Sequence, residues 1–83
     1  MKKTMTLSDS QLSELMGYLP GVTSQAYYFT KSTTGTTRFP SVFKMVKEDL
    51  KNNGIDFTVL DEGSKYEIME IVKDAYYGIR DGE

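Results

Sequence analysis

The chain has 83 residues, no Cys, no His and a formal charge of −2, which fits one domain and removes several chemistries at once. Disulfides, zinc–thiolate sites and thiol nucleophiles are excluded, as are the commonest general base and the commonest metal ligand. A core this small buries only about 60% of the surface the unfolded chain exposes, so a partner or a second copy is an available source of extra stability.

Residues 8–19, SDSQLSELMGYL, predict a first helix. Ser8 with Gln11 three positions on has the spacing of a capping box. Leu12, Leu15, Met16 and Leu19 form one apolar stripe, and Pro20-Gly21 predicts the end of the helix. Residues 25–31, QAYYFTK, read as a strand, with Tyr27 and Phe29 on one face and Tyr28 and Thr30 on the other. STTGTT then breaks the pattern, either as a hairpin tip with a short return strand at 36–39 or as a strand-to-helix loop. Residues 40–53 predict a second helix, opened by Pro40 and terminated by Gly54 in a left-handed conformation. IDFTVL, residues 55–60, reads as the clearest strand. Ser64 with Glu67 repeats the capping-box spacing, and Ile68, Ile71, Val72, Ala75 and Ile79 hold helical period, predicting a third helix from 65 to about 77 that frays near Gly78. A strand over 65–72 paired back on 55–60 is the competing reading.

FTKSTTGTTR followed by a helix and then NGIDFTVLD resembles the first strand, active-site loop, helix and second strand of glutaredoxins. On that resemblance Thr34 and Thr37 stand where the family carries its two cysteines, so no redox activity carries over. The family's later cis-Pro strand and final hairpin have no counterpart here. The resemblance implies a β-α-β unit with parallel strands in this region. The order of the predicted elements, α-β-(β)-α-β-α, by itself predicts the fold class as α+β, a single small two-layer domain over 1–83 with two to three strands packed against helices.

The charge is divided unevenly. Residues 1–51 carry seven Lys/Arg against four Asp/Glu, and residues 52–83 carry three against eight. Lys31, Arg38, Lys44, Lys47 and Lys51 form a basic segment, the candidate contact for an anion or nucleic acid, with Tyr27, Tyr28 and Phe29 as stacking surfaces. The Thr-rich stretch lacks the Gly-Lys-Ser/Thr of a phosphate loop, so its hydroxyls either assist such an anion or satisfy their own turn backbone. Glu67, Glu70 and Asp74 fall at i, i+3, i+7 on the third helix, beside Tyr76 and Tyr77. Six Tyr and five Met are many for this length, and both residue types suit protein interfaces. Glu67, Glu70, Asp74, Tyr76 and Tyr77 are accordingly the expected partner-binding residues.

These features predict a non-enzymatic cytoplasmic protein with no catalytic, cofactor or metal site. It would bind and modulate a protein partner, in the manner of phage or mobile-element accessory proteins, with homodimerisation as a further option. A nucleic-acid-binding module using residues 31–51 is the alternative. No membrane span is expected, because no stretch approaches the roughly 20 apolar residues one needs.

Overall fold

The computed structural model describes residues 4–82. Three helices make up most of it: α1 (Asp9–Thr34), α2 (Phe39–Asn52) and α3 (Glu62–Asp81), with a short 3-10 turn (Phe57–Val59) between α2 and α3. Among the described residues there is no sheet, only an isolated parallel bridge between Met5 and Leu60. The expected α+β two-layer domain, and the β-α-β unit implied by the glutaredoxin resemblance, are thereby corrected to an all-helical bundle. A helix of 26 residues at about 1.5 Å per residue is about 39 Å long, so α1 alone sets the 40 Å long axis of the molecule.

α1 begins as its sequence predicts. The Ser8 hydroxyl accepts from the Gln11 N–H (3.1 Å), and the Ser8 N–H donates to the Gln11 side chain (2.9 Å). The helix then runs through Pro20-Gly21 and absorbs the expected 25–31 strand and the first half of the Thr-rich tract, through Thr34. Packing is the cause, and the threonine hydroxyls are accommodated within it. Leu15, Leu19, Thr23, Ala26, Tyr27 and Thr30 keep helical spacing across the proline and are all buried, so one continuous stripe faces the other helices. The threonine hydroxyls, which favour other conformations when they compete for backbone, here fold back onto the carbonyl four residues earlier. Thr23 donates to Leu19 (2.7 Å), Thr30 to Ala26 (2.7 Å), Thr33 to Phe29 (2.9 Å) and Thr34 to Thr30 (2.8 Å). The helix ends at Gly35, whose φ of 74° takes the left-handed conformation that glycine adopts without steric cost.

α2 matches its expected span to within a residue, and Gly54 is left-handed as anticipated (φ 88°). The expected strand at 55–60 is displaced by a local competitor. Asp56 accepts from both the Thr58 N–H (3.0 Å) and the Thr58 hydroxyl (2.6 Å), which turns the chain into a single 3-10 turn. α3 starts three residues earlier than expected. Its cap is Asp61, whose carboxylate accepts from the Ser64 N–H (2.8 Å), and not Ser64 with Glu67. The Ser64 hydroxyl instead accepts from the Leu7 N–H (3.0 Å), and Gly78 lies within the helix.

α1 packs against both α3 and α2, which touch one another less. Leu19, Val42, Val46, Leu50, Ile68 and Val72 are fully buried at the centre. A string of ring contacts runs through one end of the bundle, from Tyr27 to Tyr76 (5.8 Å), Tyr76 to Phe39 (5.3 Å), Phe39 to Phe43 (5.4 Å) and Phe43 to Phe57 (5.3 Å). Residues before α1 are fastened to the start of α3: Met5 exchanges hydrogen bonds with Val59 (2.7 Å) and Asp61 (2.9 Å), and the Thr6 hydroxyl donates to Asp61 (2.6 Å).

Candidate interaction surface

The helical register of α3 separates a buried side from an outer one. Ile68, Val72 and Tyr76 point inward and are buried, whereas Glu67 and Asp74 are exposed and Glu70 is half-buried along the outer side. Tyr66 and Tyr77 join this outer side, 61% and 46% exposed. Among the described residues, Glu67, Glu70 and Asp74 make no hydrogen bond or ion pair. The result is a strip of unpartnered acid flanked by two amphipathic rings.

Adjacent positions on a helix are about 100° apart, so Tyr76 and Tyr77 cannot both face outward. Tyr76 is only 3% exposed, and its hydroxyl donates to the Thr37 carbonyl across the bundle. Of the two tyrosines expected at the contact surface, Tyr77 therefore stands on it and Tyr76 supports it from beneath, with the two rings edge to face at 5.2 Å. Tyr66 lies outside the set expected from sequence. Its signal is there, since it sits four residues before Glu70 and shares that residue's side of the helix.

The expected basic segment does not form one surface. Lys44, Lys47 and Lys51 share a side of α2, but Glu48 and Asp56 line the same shallow cleft. Lys47 is occupied with aromatic faces, its ammonium 5.2 Å from the Phe43 ring centre and 5.8 Å from Phe57, and Lys65 approaches Phe57 from elsewhere at 5.9 Å. Lys31 lies in the last turn of α1. Arg38 caps the opposite end of α2 from Lys51, about 20 Å away along the helix. The stacking surfaces expected beside these cations are divided too: Tyr27 is buried, while Tyr28 and Phe29 are 51% and 53% exposed on α1.

Two exposed polar clusters have shifted acid–base behaviour. The Tyr18 hydroxyl donates to Asp49 (2.6 Å) and receives Asn53 (3.2 Å), joining α1 to α2. The bond to the Asp49 carboxylate, with its negative charge, raises the Tyr18 pKa. Asp61 is shifted down by the hydrogen bonds it accepts from Thr6 and Ser64.

Near the turn between α1 and α2, an open cleft of about 350 Å³ is lined by Thr37, Arg38, Phe39, Pro40, Tyr76, Tyr77 and Arg80. Arg80 carries no expected role in the sequence. Its signal is its position one turn beyond Tyr76 and Tyr77. Among the described residues no three acidic side chains converge to hold a metal ion, and no helix is long and apolar enough to cross a membrane. No family model, curated protein or solved structure matches this chain.

Proposed function

We propose that this chain is a non-enzymatic interaction protein that docks a basic surface of a protein partner onto the outer side of α3 and thereby modulates that partner. The observation that supports it is the strip of Glu67, Glu70 and Asp74, none of which makes an ion pair among the described residues even though Lys73 lies between Glu70 and Asp74 in sequence, and which is flanked by exposed Tyr66 and Tyr77. Charges of one sign steer an oppositely charged partner, and the tyrosine rings add apolar contact at little entropic cost. Isolated exposed ion pairs contribute roughly 0–1 kcal/mol each, so the rings would carry much of the affinity and the carboxylates the orientation and on-rate.

The test is a stoichiometric partner recovered from host lysate after nuclease treatment and then rebound as a purified protein. Replacing Glu67, Glu70 and Asp74 together by Lys should abolish that binding at low salt while far-UV circular dichroism stays unchanged. Tyr66→Ala and Tyr77→Ala should each speed dissociation. Retained binding by the triple variant would remove the α3 surface from consideration. Recovery of nucleic acid alone would favour the lysine side of α2 instead.

A further inference from the structure

The cleft between the α1–α2 turn and the end of α3 differs chemically from the rest of the surface. The chain contains two arginines, Arg38 and Arg80, and the fold brings both to this one cleft from positions 42 apart in sequence. Neither has an ion-pair partner among the described residues. No carboxylate among the described residues lines the cleft, although the protein carries a net negative charge. Four other clefts each contain at least one, through Asp61 and Glu62, Glu14, Glu48 and Asp56, or Asp61 and Glu67. Thr37 adds a further donor to the same walls, and Phe39, Pro40 and the half-exposed Tyr77 ring add flat apolar surface.

We infer that this cleft binds a nucleoside 5′-phosphate, either a free nucleotide or the 5′-phosphorylated end of a strand. Two guanidiniums match the charge of a phosphate monoester, about −1.5 to −2 near pH 7, where a carboxylate would balance only one of them. Their planar forks suit the paired oxygens of phosphate better than lysine ammoniums would. A bare phosphate fills a small part of about 350 Å³. The remaining wall offers the Tyr77 ring, on which a base can stack for roughly 1–3 kcal/mol. This site shares Tyr77 with the docking side of α3 but needs no protein partner, and its two arginines lie outside the residues assigned to docking, so the Arg38 and Arg80 variants test it independently of the partner-docking function.

The experiment uses the full chain labelled with ¹⁵N and titrated with AMP, adenosine and inorganic phosphate. AMP should give saturable amide shifts confined to Thr37, Arg38, Phe39 and residues 76–80. Phosphate should give the same pattern more weakly, and adenosine almost none. Arg38→Ala and Arg80→Ala should each weaken AMP by about tenfold or more, as expected for loss of a charged hydrogen-bonding group. Tyr77→Ala should lower AMP affinity towards that of inorganic phosphate and leave phosphate unchanged. A 5′-phosphorylated oligonucleotide that competes with AMP shows that strand ends are accepted, and one that does not restricts the site to free nucleotide; either supports the site. Non-saturating shifts, shifts spread to Lys44, Lys47 and Lys51, or AMP affinity unchanged in well-folded Arg38→Ala and Arg80→Ala variants would overturn it.

Discussion

The two halves of α1 are the same helix built by different means. Residues 9–19 have a capping box, helix-favouring residues and an amphipathic stripe, so local sequence alone specifies them. Residues 20–34 contain Pro, Gly, four Thr and three consecutive aromatics, a composition that opposes helix at nearly every position. They are helical because Thr23, Ala26, Tyr27 and Thr30 are buried against α2 and α3. Burial of that stripe outweighs a propensity deficit that is only tenths of a kcal/mol at most positions. The front half is a helix that packs, and the rear half is a helix because it packs.

Substitution can separate the two mechanisms. The largest expected effect is Tyr27→Ala, which removes a ring that is 2% exposed and contacts Tyr28 and Tyr76, at about 3–5 kcal/mol. Tyr28→Ala, next in sequence but 51% exposed, should cost less than about 1 kcal/mol. Urea unfolding followed by circular dichroism measures both; because Ala favours helix more than Tyr does, similar small gains in both variants would mean that intrinsic propensity, not packing, dominates the rear half. Pro20→Ala should act in the opposite direction. Pro20 is exposed within the helix, lacks the N–H that would bond Met16, and should yield about 2 kcal/mol of stability on replacement, part of proline's roughly 3 kcal/mol interior penalty. No gain would mean that the neighbouring helices require the local geometry the proline imposes. The ends of α1 should be nearly equal in importance: Ser8→Ala and Gly35→Ala each at about 1 kcal/mol, one for a lost cap and one for a side chain forced into left-handed backbone.

This contrast also explains what can be read from the chain. α2 and the body of α3 are legible because propensity, stripe and stop signals agree there, as at Gly54. The strand expected at 25–31 rests on β-branched and aromatic residues, a signal that reports fit to a half-buried surface of any kind. The decisive pattern is present in the spacing Leu15, Leu19, Thr23, Ala26, Tyr27, Thr30, but Pro20 hides it from any reading that treats proline as a full stop. At 55–60, alternation suggests a strand, while Asp56 holds the chain in a turn through two bonds to Thr58. For the candidate surface, the acidic strip follows directly from helical spacing. The choice between Tyr76 and Tyr77 requires the exact start of α3, and the meeting of Arg38 with Arg80 requires the way the helices pack, which no local pattern carries.

The smallest expected effect concerns the join between the two well-specified ends, the segment before α1 and the start of α3. Asp61 accepts from the Thr6 hydroxyl (2.6 Å) and the Ser64 N–H (2.8 Å), and these bonds favour its ionised form, so its folded pKa lies below the unfolded value of about 3.9. The unfolded chain therefore takes up the proton first as pH falls. The stabilisation is complete well above pH 4 and disappears as pH drops through the folded pKa. Asp61→Asn keeps an oxygen that can accept from Ser64 but cannot titrate. The stability difference between the natural chain and this variant should thus be greatest near neutral pH and shrink as pH falls below about 4. Thr6→Val should move the Asp61 pKa upward, read from its carboxyl ¹³C resonance, without removing the cap on α3. A stability difference between the natural chain and the Asp61→Asn variant that stayed constant across that acid range would mean that shape alone, not charge, makes the join. The N-terminal segment would then be fastened by its backbone bonds through Met5 and by the Leu7 N–H to Ser64.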